Sequence, residues 1–413
     1  MSLAIPLAYA LFSSAPALAA YNLVQEYSGN KFFDGWDWQD HTYDDTTHGH
    51  VFYLSEDNAM AKPNPIAYLN DAGNAVIKID NTSTVDWENK RNSVRIATHD
   101  YFPVGSVFVF DAVHLPYGCA VWPGFWTKGP NWPQGGEIDI MEQVNLAPAN
   151  QMTLHTEAGC TQASGVQQLG KTVGTDCSAG VNSATGCSVT EAQPSSFGAS
   201  FAQNGGGVWA TQFDGSGVNI WFWSRKDVPS SVSGATNSID PSTFGTPSAA
   251  WPASSCDVGK FFTPQQLVLD ITLCGDWAGQ PNLYQSMCGG ELGNSTVDMC
   301  YHYDVLGLNQ TALANAWFEI SYIKVFTVTN ASLEVPISSS GSSVVLGVAT
   351  STGAPAASGT GGAPSASGTS NGNGTNGNTS SGSGGGNGAL PSASAYAAVL
   401  SAAALAVSSW ALL

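Results

Sequence analysis

Within GGEIDIMEQ, residues 135–143, three carboxylates crowd into six positions: Glu137, Asp139 and Glu142. Only 10% of the 413 residues are charged, so the cluster calls for a chemical reason. Two glutamates on one surface can divide acid–base and nucleophilic work. One carboxylate attacks an anomeric carbon while the other, still protonated, hands its proton to the departing oxygen. A retaining glycosidase holds such carboxyls about 5–5.5 Å apart. Asp139, between them, is too short to compete, and its work is electrostatic: hydrogen-bonding the nucleophile and influencing how the cluster shares protons. The bland alternative, a solvated strand face, does not ask for three acids directly after a Trp/Pro/Gly loop. Clustered carboxylates also bind Ca²⁺, but no metal and no other cofactor is assigned here.

The spacing is informative. Acids at 0, 2 and 5 fall out of step with a regular strand, where Glu137, Asp139 and Met141 would share a face. One extra residue accommodated as a β-bulge near Ile140–Met141 returns Glu142 to the face of the other two. The preceding CAVWPGFWTKGPNWPQGGEID brings Trp122, Trp126 and Trp132 within fifteen residues of Glu137. Pyranose rings stack their C–H faces on indoles, whereas a core Trp serves packing alone. Trp132, in the loop entering the acidic run, is the first candidate for a sugar subsite and Trp126 the next. Trp122, in a strand-like run, is expected to be buried.

The elements that must position these residues read as β-strands. AVIKID (75–80), SVRIAT (93–98), SVFVFDAVHL (106–115), VNIWFW (218–223), LVLDITL (267–273) and FEISYIKVFTV (318–328) are short, alternating or β-branched. TALANAW (311–317) is the one segment expected to form a short helix. The architecture is therefore all-β, two packed antiparallel sheets, and large enough for a jelly roll.

Both ends differ from this middle. Residues 1–20 are apolar and end in small residues, as a secretory signal peptide does. Residues 21–333 form the expected domain. Residues 334–389 are dominated by Ser and Gly and read as a disordered linker. Residues 390–413 end in a hydrophobic run that matches a GPI-attachment signal. Eight cysteines in a secreted chain imply disulfides, with 105 possible pairings. The close pair Cys288 and Cys300 suggests a local bridge. Sequons stand at Asn81, Asn294, Asn309 and Asn330. A net charge of −19 argues against nucleic acid or an anionic membrane surface and fits a neutral substrate.

WPGFW, WPQGGEIDIMEQVN and MTLHT together resemble the fungal branch of glycoside hydrolase family 16. The likeness extends through FFDGWDW, DDTTHG, DNTSTV, NSVRI and LDITLCGDWAG, over nearly all of residues 21 to 330. It implies a concanavalin A-like jelly roll of two curved sheets. It also implies retaining endo-hydrolysis of β-1,3- or mixed β-1,3/1,4-glucan. On the matching positions Glu137 is the nucleophile, Asp139 its helper, Glu142 the acid/base, and His155 a residue near the acid/base. The inserted Met141 resembles the laminarinase-type form; lichenases and crosslinking enzymes generally have the uninterrupted motif. Two positions depart from the pattern: Gln143, where relatives often have Gly, and the neighbourhood of Phe52 in HGHVFYL, near which they often have Asn or Asp. The expected partner is β-glucan, met by a monomer at the cell surface or wall through a GPI anchor. Two other functions share these residues: a wall-remodelling transglycosylase, and a non-catalytic β-glucan-binding lectin.

Overall fold

The computed structural model of the protein describes residues 20–348, apart from 41, 45, 180–185, 290–297, 309, 329–331 and 341–342. The expected signal peptide (but for Ala20), most of the linker, the hydrophobic tail and the sequons at Asn294, Asn309 and Asn330 lie outside the described residues. Among the described residues no helix is long and apolar enough to cross a membrane.

Two antiparallel sheets carry the domain. One, of nine strands, is centred on Tyr21–Ser28, Trp317–Val328, Ser106–His114, Gly207–Asp214 and Gly217–Ser224. The other, of eight, runs in the order Lys171–Thr172, Cys187–Thr190, Gln151–His155, Glu137–Glu142, Val121–Lys128, Gln266–Leu273, Arg95–Thr98 and Trp36–Trp38. The six runs identified from their alternation each contain a strand.

Side-chain parity explains the layers. In SVFVF, Phe108 and Phe110 join the main core between the sheets, while Val107 and Val109 join a second cluster with Trp221 and Phe244 on the outer face. Both faces of that strand are covered, so its sequence is apolar throughout. In the eight-stranded sheet one face is core: Val121 and Phe125, then Leu267, Leu269, Ile271 and Leu273. Phe110 of one sheet stacks on Phe125 of the other at 4.2 Å between ring centroids. The opposite face of that sheet presents Trp122, Trp126, Asp270 and Thr272 to a cleft.

Three expectations need correcting. Cys288 does not pair with Cys300: the bridges are Cys119–Cys288, Cys160–Cys256, Cys177–Cys187 and Cys274–Cys300. The first ties the Pro281–Cys288 helix to the entry of the Val121–Lys128 strand, which local spacing cannot reveal. TALANAW forms turns rather than a helix, because Trp317 already belongs to the Trp317–Val328 strand and pairs with Lys78. The ordered domain also passes residue 333. Glu334–Ser340 and Ser343–Val348 form an antiparallel hairpin, so the start of the expected linker is structured.

Candidate active site

Glu137–Glu142 lies near the middle of the cleft sheet, and its register contains the expected irregularity. Against Gln151–His155 the partners run Glu137 with His155, Ile138 with Leu154, Asp139 with Thr153, then Glu142 with Gln151. Ile140 and Met141 together stand opposite the single residue Met152, which is a bulge. Ile138, Ile140 and Met141 are all fully buried in the core. The three acids consequently share the cleft face.

A bulge leaves backbone groups without ladder partners. Asn150 supplies them. The Glu142 N–H donates to Asn150 Oδ1 at 3.0 Å, and Asn150 Nδ2 donates to the Ile140 carbonyl at 2.9 Å. Opposite Glu142 on the other side stands Gly124. A Cβ there would meet Trp126 Cδ1 at 2.7 Å and Asp270 Oδ1 at 2.8 Å, so only glycine leaves this floor open.

Each glutamate receives an indole N–H. Trp132 Nε1 donates to Glu137 Oε2, and Trp122 Nε1 donates to Glu142 Oε1 at 2.7 Å. Asp139 is buried, hydrogen-bonds Glu137, and lies 3.3 Å from His155 Nε2. Burial first, and the Glu137 carboxylate beside it second, hold Asp139 well above the usual carboxylate range. Glu142 is also raised well above its ordinary value, by burial and then by the charge of Asp139. The Trp122 hydrogen bond and the His155 ring pull it the other way. Two acids in this cluster therefore keep protons where an exposed carboxylate would have lost them.

A cleft of about 780 Å³ surrounds the acids. Its floor holds Trp126, whose Nε1 donates to Asp270 Oδ1 at 3.0 Å and whose ring faces the Arg95 guanidinium at 5.2 Å. Burial lifts Asp270 to about 6, against the pull of Arg95. One wall is Trp277, edge-on to Trp122 at 5.6 Å and followed by Gln280 and Leu283. The opposite rim carries Trp132, which is 53% exposed and so free to stack. Glu137, Asp139 and His155 each offer one ligand atom within 4.8 Å of the others. A cation there would replace the proton on Asp139 and cover the carboxylate best placed to attack. Cys160, Cys177 and Cys187 also converge, but all three are in disulfides and offer no thiolate.

Residues 36–326 match the model of an XgeA-like, catalytic GH16 domain. The chain belongs to glycoside hydrolase family 16. A probable glycosidase of Schizosaccharomyces pombe is 36% identical over 309 residues, 74% of this chain and 69% of that protein. An endo-1,3(4)-β-glucanase of Emericella nidulans is 35% identical over 316 residues, 76% of this chain and 48% of that protein. The chain thus spans about half the length of such glucanase relatives. Among solved structures, Laminarinase 16A from Phanerochaete chrysosporium, bound to 6-O-glucosyl-laminaritriose, is 32% identical with a TM-score of 0.68. It aligns over 75% of this chain and 100% of its own. An elongating GH family 16 β-1,3-glucosyltransferase is 36% identical with a TM-score of 0.67, over 74% of this chain and 100% of its own.

In this family 16 domain the site residues read from sequence come together: Glu137, Asp139, Glu142, Trp126, Trp132 and His155 all lie in or against the cleft. His155 faces Glu137 and Asp139 directly. Trp122 is the correction. It is half-buried, lines the cleft and holds Glu142, rather than filling the core. Its even spacing from Trp126 on one strand carried that signal. Arg95 and Asp270 escaped sequence reasoning because their partners are remote in the chain, and Asn150 because it reaches back across a connection to the bulge. Gln143 turns inward, donating to the Ala149 carbonyl at 3.1 Å, so its departure from the family pattern does not touch the cleft. Phe52 is exposed on the small Thr42–Tyr43, Val51–Tyr53, Arg91–Ser93 sheet and is absent from the cleft lining.

Proposed function

We propose that this chain is a retaining endo-hydrolase of β-1,3- or mixed β-1,3/1,4-glucan. The bulge carries the reading. It turns Glu137 and Glu142 onto one face within a single cleft while leaving them in different surroundings. Glu137 attacks the anomeric carbon, and Glu142 gives its proton to the glycosidic oxygen as that bond breaks. Water then attacks the glycosyl–Glu137 ester, returning its proton to Glu142 and restoring both groups. Asp139, hydrogen-bonded to Glu137, steadies the leaving carboxylate in that second step. Stacking on Trp126 and Trp132 holds the sugars.

The elongating glucosyltransferase at 36% identity gives the second reading its observation. A sugar hydroxyl resolving the ester in place of water makes the same active site a transglycosylase. Trp277 and Trp122 would form the wall on which that acceptor stacks. Action at the cell surface or wall belongs to the proposal, and four disulfides support an oxidising, secretory route.

Incubation with laminarin, lichenan and cellulose, with products sized over time, tests the reading. Short β-1,3-oligosaccharides from the wild type, absent with Glu137→Gln, are expected. Products longer than the starting oligosaccharide would transfer the assignment to the transglycosylase. Binding without turnover on every glucan would leave a lectin.

A further inference from the structure

The contacts around Trp132 run outward as well as inward. Trp132 sits at the tip of the 129–136 loop, whose base is fixed. There the Thr263 N–H and Gln265 Nε2 donate to the Gly135 carbonyl at 3.0 and 2.8 Å. A Cβ on Gly129 would meet Gly135 Cα at 2.5 Å, so the two legs of the loop touch. The tip is half-buried or exposed throughout Asn131 to Gln134. Beyond the family match, which ends at residue 326, the Glu334–Val348 hairpin reaches it. Asn131 Nδ2 donates to the Val344 carbonyl at 3.0 Å, and the Val344 N–H donates to Asn131 Oδ1 at 2.8 Å. The side-chain amide thus imitates a neighbouring strand. The hairpin is tied to the domain in turn, because Tyr101 and Glu334 exchange both backbone hydrogen bonds at 2.8 and 3.0 Å. Leu333 packs against the core beside that clip.

We propose that the Glu334–Val348 hairpin is a working part of the glucan cleft, and that Asn131 is the positioning residue through which it sets Trp132 over Glu137. The contacts form one path: Tyr101 to Glu334, Val344 to Asn131, then Trp132 to Glu137. A side chain left 53% exposed at a loop tip leans on its hydrogen bond to Glu137 and on the anchored tip beneath it, so loss of the amide pair loosens the indole. The sugar face it offers is then present only part of the time, and binding weakens by that fraction. The inference rests on the glucanase reading, and it makes residue 333 a damaging place to end the domain.

The test compares the full chain with Asn131→Ala, Asn131→Asp and a form lacking residues 334–348. KM for laminari-oligosaccharides is expected to rise roughly tenfold in Asn131→Ala and in the deletion, as two lost hydrogen bonds imply. Asn131→Asp, which keeps the acceptor for the Val344 N–H, falls between. In a Trp132→Ala background neither change adds to the loss. A readout free of turnover is the indole N–H resonance of Trp132 in ¹⁵N-tryptophan-labelled protein, assigned with Trp132→Phe. It moves in Asn131→Ala if the positioning is real. Wild-type KM with an unmoved resonance, or losses that simply add to Trp132→Ala, overturn the proposal. A wild type inactive on every glucan counts against the glucanase reading, while the resonance still decides the positioning.

Discussion

Asn150→Ala removes the one side chain that serves the bulge. Asn150 is fully buried, and its own N–H donates to Ser196 Oγ at 2.9 Å. Truncation leaves the Glu142 N–H and the Ile140 carbonyl buried without partners. Each such group costs about 1–3 kcal/mol, so the loss is roughly 2–6 kcal/mol. For a domain of this size that corresponds to a melting temperature lowered by roughly 3–9 °C. Catalysis suffers as well, because the Glu142 backbone is what the amide holds. A displacement of about 1 Å at a catalytic group costs on the order of a hundredfold in rate. Scanning calorimetry and kcat/KM on laminarin, measured at a temperature where the variant stays folded, separate the two effects. Asn150→Asp, which retains the acceptor for the Glu142 N–H, should recover part of the rate. An Asn150→Ala protein with wild-type melting and wild-type kcat/KM would refute the reasoning. The bulge would then be held by the packing of Ile140 and Met141 alone.

The protonation of the cluster yields paired signs. Activity on the alkaline side falls as Glu142 loses its proton; the Trp122 hydrogen bond lowers that pKa and the Asp139 charge raises it. Trp122→Phe should move the alkaline limb of kcat/KM to higher pH and Asp139→Asn to lower pH; a shift of both in one direction would contradict Glu142 as the acid. Asp270, raised by burial to about 6, binds its proton more tightly when folded. Its contribution to stability is therefore full below the ordinary carboxylate range and is lost as pH rises through about 6. Denaturant melts across that window should show the slope, and Asp270→Asn should flatten it. Zn²⁺ should inhibit competitively by bridging Glu137, Asp139 and His155, whereas EDTA should leave activity unchanged; activation by Zn²⁺ would reverse the view of that triad.

How far the site was legible depended on how local its physics is. The bulge could be read because strand parity is strict: acids at 0, 2 and 5 cannot share a face without one extra residue. Trp122 was misplaced: parity puts it on the face of Trp126, four residues on, but an apolar residue on an apolar strand does not say which face is core. Asn150 closes the bulge from the far end of the 143–150 connection, a return path no local pattern describes. Cys288 found Cys119, 169 residues away, in place of its sequence neighbour. In the hairpin the Ser and Gly content concealed alternation in VPIS and SVVLG that pairing could use. TALANAW has helix-forming alanines, but Trp317 is claimed by the sheet, and a helix needs more than one turn to hold its own.

Two identical side chains five residues apart must perform opposite tasks, and here their surroundings supply the difference. Both accept an indole N–H, so that bond alone cannot decide. Trp122 is enclosed between the cleft floor and Trp277, and it holds Glu142 where burial favours the acid form. Trp132 stands on an exposed loop, and Glu137 lies beside an aspartate that carries its own proton. As Glu137 leaves the sugar, the Asp139 proton and the Trp132 N–H can both turn toward the charge that returns to it. The bulge makes this asymmetry possible. A regular strand would have left Glu142 facing the core, and moving it by one residue gives each glutamate a different wall of one cleft.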